Sequence, residues 1–381
     1  MADIFSPTSL AGIQLNNRVL RSATDEALAD DKGFVTEPLI QHLEKLAKGG
    51  IGGIITGFMA VSADGEAPHE QHQVMIDDDS RLPMLTTMVE RIHAAGAPVI
   101  AQLVHCGSSG ISGKAFNVDK LPVSTLERVR QDFVDAAVRA KKAGFDGIQL
   151  HCAHGYFLSQ TLSAAANHRK DAYGGTEEKR FRLTGEIIRA IKETLPDYPL
   201  LVKMNGEEQP KNGIHADEAV RLAVRLQEAG ADAIEVSRGL GWTQMGACYG
   251  KAPAEMILHD YPGMKGIPSW LHWAVKPLIP KIMDEKPTAR MYNVETAVKI
   301  KQAVNIPVIA VGGIHDLSEI EQTLDRGIDF VAMSRPLILE PNLINKYKEQ
   351  KSQQARCIEC NHCLIGIYAR PLRCYFGKLP K

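Results

Sequence analysis

The sequence has 381 residues, with 44 Lys and Arg against 45 Asp and Glu, so its formal net charge is −1. Apolar residues make up 44% and charged residues 23% of the chain, both close to the average for globular proteins. These proportions exclude a disordered, collagen-like or disulfide-stapled chain. Without an excess of positive charge, nothing favours nucleic acid as the main partner.

No stretch of the sequence reaches the roughly 18 apolar residues that are needed to span a bilayer. The nearest, residues 51–61, is interrupted by glycines and a threonine. The first ten residues include early acidic and polar side chains and no apolar signal core. The sequence therefore predicts a soluble, cytoplasmic protein with no membrane partner.

Short β-branched or apolar runs alternate with amphipathic helical stretches eight times along the chain. The predicted strands are residues 18–22, 53–59, 98–103, 147–151, 200–204, 233–237, 308–311 and 330–333. Gly96, Gly144 and Gly230 follow three of the predicted helices, where a left-handed cap would start the turn into the next strand. Eight such units with right-handed crossovers predict an α/β fold, a (β/α)8 TIM barrel. The alternative, a doubly wound sheet, would require a G-x-G-x-x-G turn after the first strand, and none occurs there.

Three segments fall outside this alternation. Residues 1–17 predict a short hairpin that closes the floor of the barrel, and residues 238–292 form a long insertion after the sixth strand. The last part of the chain holds four of the seven cysteines. We therefore expect a barrel domain at 1–345 and a short cysteine-rich extension at 346–381.

Polar groups and glycines follow the last two predicted strands. Gly312 and Gly313 follow the seventh strand, and Ser334 and Arg335 follow the eighth. Backbone N–H groups at this point form the usual phosphate cradle of TIM barrels, and a guanidinium can hold a phosphate through two donors. The pattern predicts a phosphorylated ligand, with a simple tight turn at the glycines as the alternative.

Four sequence motifs lie at or after the predicted strands. They are NRVL at 17–20, AQLVHCG at 101–107, HCAHGY at 151–156 and NHRKDAYGG at 167–175. Together they resemble the signatures of the old yellow enzyme family of FMN-dependent ene-reductases, over about residues 5–336. The resemblance implies an FMN oxidoreductase that reduces the C=C bond of an activated, α,β-unsaturated substrate, with NAD(P)H as the donor.

The resemblance also implies which residues would hold FMN across the barrel mouth. The phosphate would contact backbone N–H groups at Gly312, Gly313, Ser334 and Arg335. Gln102 would bond to the pyrimidine edge of the ring, and Lys203 would lie beside its N1–C2 region unless it pairs with Glu207 or Glu235. The residues that would pack on the ring through their backbone are Ser22, Ala23, Thr24 and Gly57.

Three side chains of the HCAHGY motif would carry the catalysis. His151 and His154 would face the substrate and stabilise negative charge on its carbonyl oxygen, as an oxyanion hole does. Tyr156 would lie over the flavin and supply a proton to the α-carbon as a general acid. A purely structural role, such as core packing for Tyr156, is the alternative.

Two positions depart from the pattern of the family. Lys203 stands where the family more often has Arg. Lysine keeps the positive charge but lacks the planar fork of donors of a guanidinium. Asp25 stands near the expected edge of the flavin, where relatives place Cys, Thr or His. A carboxylate there could repel an electron-rich flavin or bind a polar group of the substrate, and the sequence leaves both open.

Four cysteines form a C-x2-C-x2-C-x10-C array at Cys357, Cys360, Cys363 and Cys374. Three thiolates at this spacing can wrap one face of a 4Fe-4S cluster, which a fourth then closes. Zinc is the alternative ligand, held by the four thiolates or by three of them with His362. The third possibility is that the four cysteines are free thiols at the surface.

An array placed directly after the barrel resembles the layout of two larger bacterial members of the family, 2,4-dienoyl-CoA reductase and trimethylamine dehydrogenase. In those proteins a second flavin domain follows the cluster. The present sequence ends at Lys381, before any such domain. The resemblance therefore implies either direct reduction of FMN by NAD(P)H or a separate electron-transfer protein as partner.

Other functions remain open at this point. The same barrel could oxidise amines as a demethylating dehydrogenase, or act as a non-redox, metal-dependent lyase or hydrolase with the paired histidines on the metal. A third alternative is a barrel without enzymatic activity whose cysteines bind zinc and form an interaction module. We expect Trp242 and Tyr249 of the insertion to roof the pocket. The sequence does not decide the substrate, the choice between NADH and NADPH, or whether the chain forms a homo-oligomer.

Overall fold

The computed structural model of the protein describes residues 3–68, 72–240 and 247–377. The described strands are β1 Thr8–Leu10, β2 Ile13–Leu15, β3 Val19–Arg21, β4 Gly53–Ala60, β5 Val99–Val104, β6 Gly147–Cys152, β7 Leu200–Asn205, β8 Ala233–Ser237, β9 Val308–Val311 and β10 Phe330–Met333. Strands β3 to β10 form a closed parallel barrel in which β10 returns to pair with β3. The predicted (β/α)8 barrel is confirmed, and its last three strands begin and end where the sequence predicts.

Helices surround the barrel between successive strands. Their bounds are α1 Glu37–Lys48, α2 Leu82–Ala94, α3 Val123–Lys142, α4 Phe157–Leu162, α5 Glu177–Thr194, α6 Ala216–Ala229, α7 Ala254–Asp260, α8 His272–Val275, α9 Ile279–Ile282, α10 Val294–Ala303, α11 Leu317–Asp325, α12 Arg335–Leu339, α13 Leu343–Lys348 and α14 His362–Gly366. Gly230 ends α6 with a φ of 110°, the left-handed cap that the sequence predicts. None of the described helices is long and apolar enough to cross a bilayer.

The barrel strands are buried on both faces. Every residue of β5, β6, β7 and β8 is buried, as expected for a parallel sheet with helices outside and packed side chains inside. The β1–β2 hairpin closes one end, because its Leu10, Ile13 and Leu15 join a buried cluster with inward residues such as Leu20 and Ile55. The predicted hairpin on the barrel floor is confirmed, and the opposite end stays open for a site.

The insertion and the C-terminal extension pack together over this open end. Met256 and Ile257 of α7 share a buried cluster with Ile365 of α14 and with Tyr375. The backbone N–H of Leu372 donates to the carbonyl oxygen of Glu26, just after the first barrel strand, at 2.9 Å. The extension therefore forms part of the wall above the strand ends.

Helix α13 crosses the predicted boundary at 345/346. Its Leu343, Ile344 and Tyr347 are buried in the main core with the barrel helices. The division into a barrel and an extension stays a prediction, since this helix packs on the barrel while the chain after it packs on the insertion.

Candidate active site

A cavity of about 470 Å³ lies at the carboxyl ends of the barrel strands. Eight of the predicted catalytic and flavin-binding residues line it, namely Ala23, Thr24, Gln102, His151, His154, Tyr156, Ser334 and Arg335, and so does Cys363 of the predicted metal site. Five other predicted flavin-binding residues are not part of its lining, namely Ser22, Gly57, Lys203, Gly312 and Gly313. The strands thus bring together most of a site whose members are up to about three hundred residues apart in the chain, as expected for this fold.

A chain of buried polar side chains runs from the cavity wall into the barrel. The Nε2 group of Gln102 donates to Oε1 of Gln149 at 2.7 Å, and Nε2 of Gln149 donates to Oε2 of Glu235 at 2.7 Å. The Ser22 hydroxyl donates to Oε1 of Glu235 at 2.6 Å and accepts from Nζ of Lys203 at 2.8 Å. This network fixes the amide of Gln102 at the cavity and explains why Ser22 points inward.

Lys203 forms a buried ion pair within this network. Its Nζ atom lies 3.2 Å from Oε1 of Glu235, and both side chains are at most 3% exposed. Of the two alternative partners expected from the sequence, Glu235 is the one observed, whereas Glu207 pairs with His215. The ammonium beneath the cavity is therefore compensated by a carboxylate rather than isolated.

The paired histidines are uncharged. Burial lowers the pKa of His154 to about 3 and that of His151 well below its usual value, and the ammonium of Lys203 acts in the same direction. Nδ1 of His151 accepts the N–H of Ala153 at 3.3 Å, so in the neutral ring Nε2 carries the proton. His154 has a left-handed φ of 64°, and its Nε2 lies 2.7 Å from Oγ of Ser237. The pair can donate hydrogen bonds without adding charge.

Tyr156 packs against the first of these histidines. Its ring centroid is 4.9 Å from that of His151 and 5.2 Å from that of Phe58. Burial raises the pKa of Tyr156 well above its usual value, so the phenol keeps its proton. Three uncharged proton donors thus occupy one wall of the cavity.

Asp25 is the one acidic side chain on the described cavity lining. Its Oδ1 accepts the N–H of Ala27 at 3.1 Å, while the buried Oδ2 has no hydrogen-bond partner among the described residues. Burial raises the pKa of Asp25 to about 7, and the nearby Glu26 carboxylate adds to this. Arg21 lowers the pKa of Asp25 only slightly, because its guanidinium is paired with the carboxylate of Glu26 at 2.6 Å.

The glycine pair after β9 has no room for side chains. A Cβ on Gly312 would lie 2.5 Å from the ring of Tyr292, and one on Gly313 would lie 2.6 Å from the carbonyl oxygen of Ala289. Both residues have positive φ, 122° and 68°. The close packing of Tyr292 and Ala289 accounts for glycines at these two positions, and their role as a phosphate cradle stays a prediction.

Arg335 lies between the cavity and the C-terminal extension. Its Nη1 donates to the carbonyl oxygen of Tyr249 at 2.6 Å and to Oδ1 of Asn361 at 2.7 Å. These bonds use two of the five donors of a guanidinium, and others remain for a ligand. Beside it, the hydroxyls of Ser334 and Thr24 lie 2.8 Å apart, which joins the ends of β10 and β3.

Gly57 contacts the Arg21–Glu26 ion pair and does not line the cavity. Its N–H donates to Oε1 of Glu26 at 3.1 Å, and a Cβ there would meet Oε2 of the same carboxylate at 2.1 Å. This contact accounts for a glycine at position 57. Its predicted packing on a flavin ring stays a prediction.

None of the four cysteines of the extension forms a disulfide bond. Cys357 and Cys360 lie near enough to Cys363 to raise its pKa, which burial and these neighbours bring to about 12. Within residues 3–68, 72–240 and 247–377, however, no group of three or more His, Cys, Asp or Glu side chains is placed to hold a metal ion. The predicted metal site that includes Cys374 is therefore not confirmed.

Several lining residues have no counterpart among the sequence-predicted ones. They come from β4, the insertion and the extension, and include Phe58, Cys248, Tyr261, Tyr368 and Leu372. Phe58 could have been found as a residue near the end of a predicted strand. The rings of Tyr261 and Tyr368 meet edge to face at 5.1 Å, a contact that no local pattern encodes. Trp242 lies outside the described residues, and Tyr249 stacks on Tyr292.

Comparison with known proteins decides the family. The sequence profile described as "NADH:flavin oxidoreductase / NADH oxidase family" matches residues 3–113, 111–240 and 269–354. The 4,4'-dithiodibutanoate disulfide reductase of Rhodococcus erythropolis is 31% identical over 96% of this chain and 93% of its own length. The chain belongs to the NADH:flavin oxidoreductase / NADH oxidase family. It is an FMN-dependent NAD(P)H oxidoreductase, and the non-redox lyase or hydrolase is set aside.

Other relatives differ in length. The NADH oxidase of Thermoanaerobacter brockii is 31% identical over 96% of this chain, which spans about half (54%) of that protein. The NADPH dehydrogenase of Bacillus pumilus is 29% identical, with 89% of this chain and 92% of the relative covered.

Two solved structures show the same fold. A 2-naphthoyl-CoA reductase in complex with 2-naphthoyl-CoA superposes with a TM-score of 0.79 at 21% identity, covering 97% of this chain and 56% of that one. The old yellow enzyme homologue from Zymomonas mobilis gives a TM-score of 0.69 at 20% identity, covering 94% and 95%. With the family match, these likenesses confirm the resemblance to old yellow enzymes.

Proposed function

We propose that the protein reduces the C=C bond of an activated, α,β-unsaturated substrate in the cavity, with NAD(P)H as the donor. The observation that carries this proposal is the grouping of His151, His154 and Tyr156 as uncharged proton donors on one wall of the cavity. When bound, FMN supplies the hydride that reaches the substrate.

The residues at the two ends of the cavity suit a phosphorylated flavin. Arg335 has donors left after its bonds to Tyr249 and Asn361, and Gly312 and Gly313 follow β9, the strand that pairs with β10 just before Arg335. At the other end, the amide of Gln102 is held in one orientation by the network that leads to Glu235. We assign the phosphate to the first group and the polar edge of the ring to Gln102.

The two histidines stabilise the substrate carbonyl oxygen in this scheme. Because both rings are neutral, they act as hydrogen-bond donors that are already oriented before negative charge develops. Nε2 of His151 carries its proton, and Ser237 can accept from or donate to Nε2 of His154. Fixed donors in a site that excludes water stabilise such charge far more than water does.

Tyr156 supplies the proton to the α-carbon. A phenol whose pKa is raised by burial stays protonated at neutral pH, so the acid form is the one present. The apolar ring of Phe58 packs against Tyr156, and Ile367 and Leu372 add apolar surface to the same cavity lining.

The cysteine array belongs to the proposal as a 4Fe-4S site, with zinc as the competing metal. Its support is the sequence spacing of Cys357, Cys360 and Cys363, with Cys374 as the fourth thiol. In this proposal NAD(P)H reduces the flavin directly, or an electron-transfer protein supplies the electrons. Iron, zinc and acid-labile sulfide analysis of anaerobically purified protein tests this; sulfide equal to iron supports the cluster, and zinc without sulfide rejects it.

One observation favours amine oxidation as a second candidate. Asp25 presents an unpartnered carboxyl oxygen at the cavity, and a carboxylate there can bind a substrate ammonium. In the leading proposal the same group binds a polar substituent of the alkene.

Product analysis separates the two candidates. The flavin-loaded protein is incubated anaerobically with NADPH or NADH and a panel of enones, nitroalkenes and enoyl thioesters, and in parallel with secondary and tertiary amines and an artificial electron acceptor. Saturated products with consumption of one nicotinamide per double bond support the leading proposal. Formation of aldehyde from the amines, without reduction of any alkene, rejects it.

A further inference from the structure

The C-terminal extension places a buried acid beside the predicted phosphate-binding arginine. Glu359 lies between the cysteines at 357 and 360 and is 1% exposed. Its φ of 56° is a left-handed conformation that is unfavourable for a residue with a side chain. Neither buried carboxyl oxygen has a hydrogen-bond partner among the described residues.

Glu359 faces a cluster of nitrogen-bearing side chains. Its Oε1 lies 3.2 Å from Nε2 of His315, 3.6 Å from Nη2 of Arg335 and 3.9 Å from Nη1 of Arg290. Arg290 also faces Glu319 at 3.6 Å. Two guanidinium groups thus face two acidic side chains.

The orientation of Arg335 does not depend on Glu359. Its Nη1 is bound to the carbonyl oxygen of Tyr249 and to Oδ1 of Asn361, with distances of 2.6 and 2.7 Å. The 3.6 Å separation from Glu359 is too long for a hydrogen bond, so this carboxylate acts on the guanidinium through charge alone.

We propose that Glu359 weakens the hold of Arg335 on the FMN phosphate, because the carboxylate and the phosphate compete for the same guanidinium. The inference rests on the proposed function, in which Arg335 binds that phosphate. The loop of residues 357–363 then contributes two side chains to Arg335. Asn361 orients the guanidinium through a hydrogen bond, and the carboxylate of Glu359 offsets its positive charge. Retention of the flavin is coupled in this way to the conformation of the cysteine loop.

The test compares two flavins that differ only in the phosphate. Apoprotein, prepared by removing the flavin, is titrated with FMN and with riboflavin, and binding is followed by quenching of flavin fluorescence. In Glu359→Gln we expect FMN to bind about threefold to tenfold more tightly than in the wild type, since one opposing charge is removed. Riboflavin, which has no phosphate, should bind equally to both.

Two further variants serve as controls. Glu349→Gln makes the same change in charge at an exposed residue and should leave both affinities unchanged. Asn361→Ala removes a bond that orients Arg335 and should weaken FMN binding, the opposite sign to Glu359→Gln. All proteins are matched for metal content and for melting temperature before the titration.

The outcomes are distinct. If Glu359→Gln binds FMN no better or less well than the wild type, or if riboflavin shifts as much as FMN, Glu359 does not compete with the phosphate and the inference is overturned. If the wild type binds neither flavin, the failure lies in the proposed function instead.

Discussion

Nζ of Lys203 and Oε1 of Glu235 lie 3.2 Å apart inside the barrel, directly beneath the polar side chains that reach the cavity. Both side chains are almost fully buried, so neither charge is compensated by water. The pair therefore gives the buried ammonium of Lys203 a counter-charge within the barrel. It also connects the stability of the barrel to the orientation of Gln102, through Gln149.

Breaking this pair should destabilise the protein. Glu235→Gln leaves the ammonium of Lys203 buried without a counter-charge, and we expect a loss of about 3 kcal/mol in the free energy of unfolding. Urea-induced unfolding followed by circular dichroism measures it. Glu207→Gln, at a partly exposed pair, should cost less than about 1 kcal/mol. Equal stability of the two variants would show that the Lys203–Glu235 pair contributes nothing.

Replacing the phenol should separate the two half-reactions. In Tyr156→Phe the ring and its packing on Phe58 are kept and the proton donor is lost. Reduction of the bound flavin by the nicotinamide should proceed as in the wild type, while turnover of an enone should slow by about a hundredfold. Stopped-flow absorbance measures both rates. Unchanged turnover of the enone would remove Tyr156 from the proposed role.

Asp25 should make stability depend on pH. Burial raises its pKa in the folded protein to about 7, above the value of about 4 expected in the unfolded chain, so the folded state holds the proton more tightly. Its ionisation therefore costs stability, and this cost grows as the pH rises from about 4 to about 7. The groups around it are Glu26, which raises its pKa, and Arg21, which lowers it.

The variant Asp25→Asn removes this dependence. The melting temperature of the wild type should fall relative to that of the variant as the pH is raised from about 5 to about 7.5, by several degrees in total. Parallel curves for the two proteins over that interval would show that the carboxyl of Asp25 ionises with an ordinary pKa.

The glycine at position 312 should be required for the phosphate site. In Gly312→Ala the new Cβ meets the ring of Tyr292, and we expect FMN affinity to fall by at least about tenfold. Gly327→Ala is the matched control, because Gly327 also has a positive φ of 88° but nothing within 4 Å of its Cβ position. The control should lose about 1 kcal/mol of stability and keep its affinity for FMN. Similar affinities in both variants would argue against a phosphate at the glycine pair.

Much of the fold and part of the site could be predicted because both depend on local patterns. The run at residues 233–237 lies between Gly230 and the insertion, and the observed buried strand begins and ends at the same residues as the predicted one. Parallel strands carry their C-terminal residues to one edge, so His151 and Arg335 meet the same cavity although they are far apart in the chain.

The remaining features depend on contacts that no local pattern encodes. The choice of Glu235 over Glu207 as the partner of Lys203 depends on which strand neighbours face the barrel interior. Tyr368 and Glu359 reach the site only because the extension folds back on the insertion and on Arg335. A sequence shows spacing within such a segment but not the surface on which it will pack.

The most direct test of the central claim is a single-turnover experiment. The protein loaded with FMN is reduced anaerobically with a stoichiometric amount of NADPH or NADH and then mixed with an excess of 2-cyclohexenone, and the visible flavin absorption is recorded with time. We predict that the absorption bleaches on reduction, returns on mixing, and is accompanied by one equivalent of cyclohexanone. Absorption that stays bleached with this and other activated alkenes, or a protein that takes up no FMN, would contradict the account.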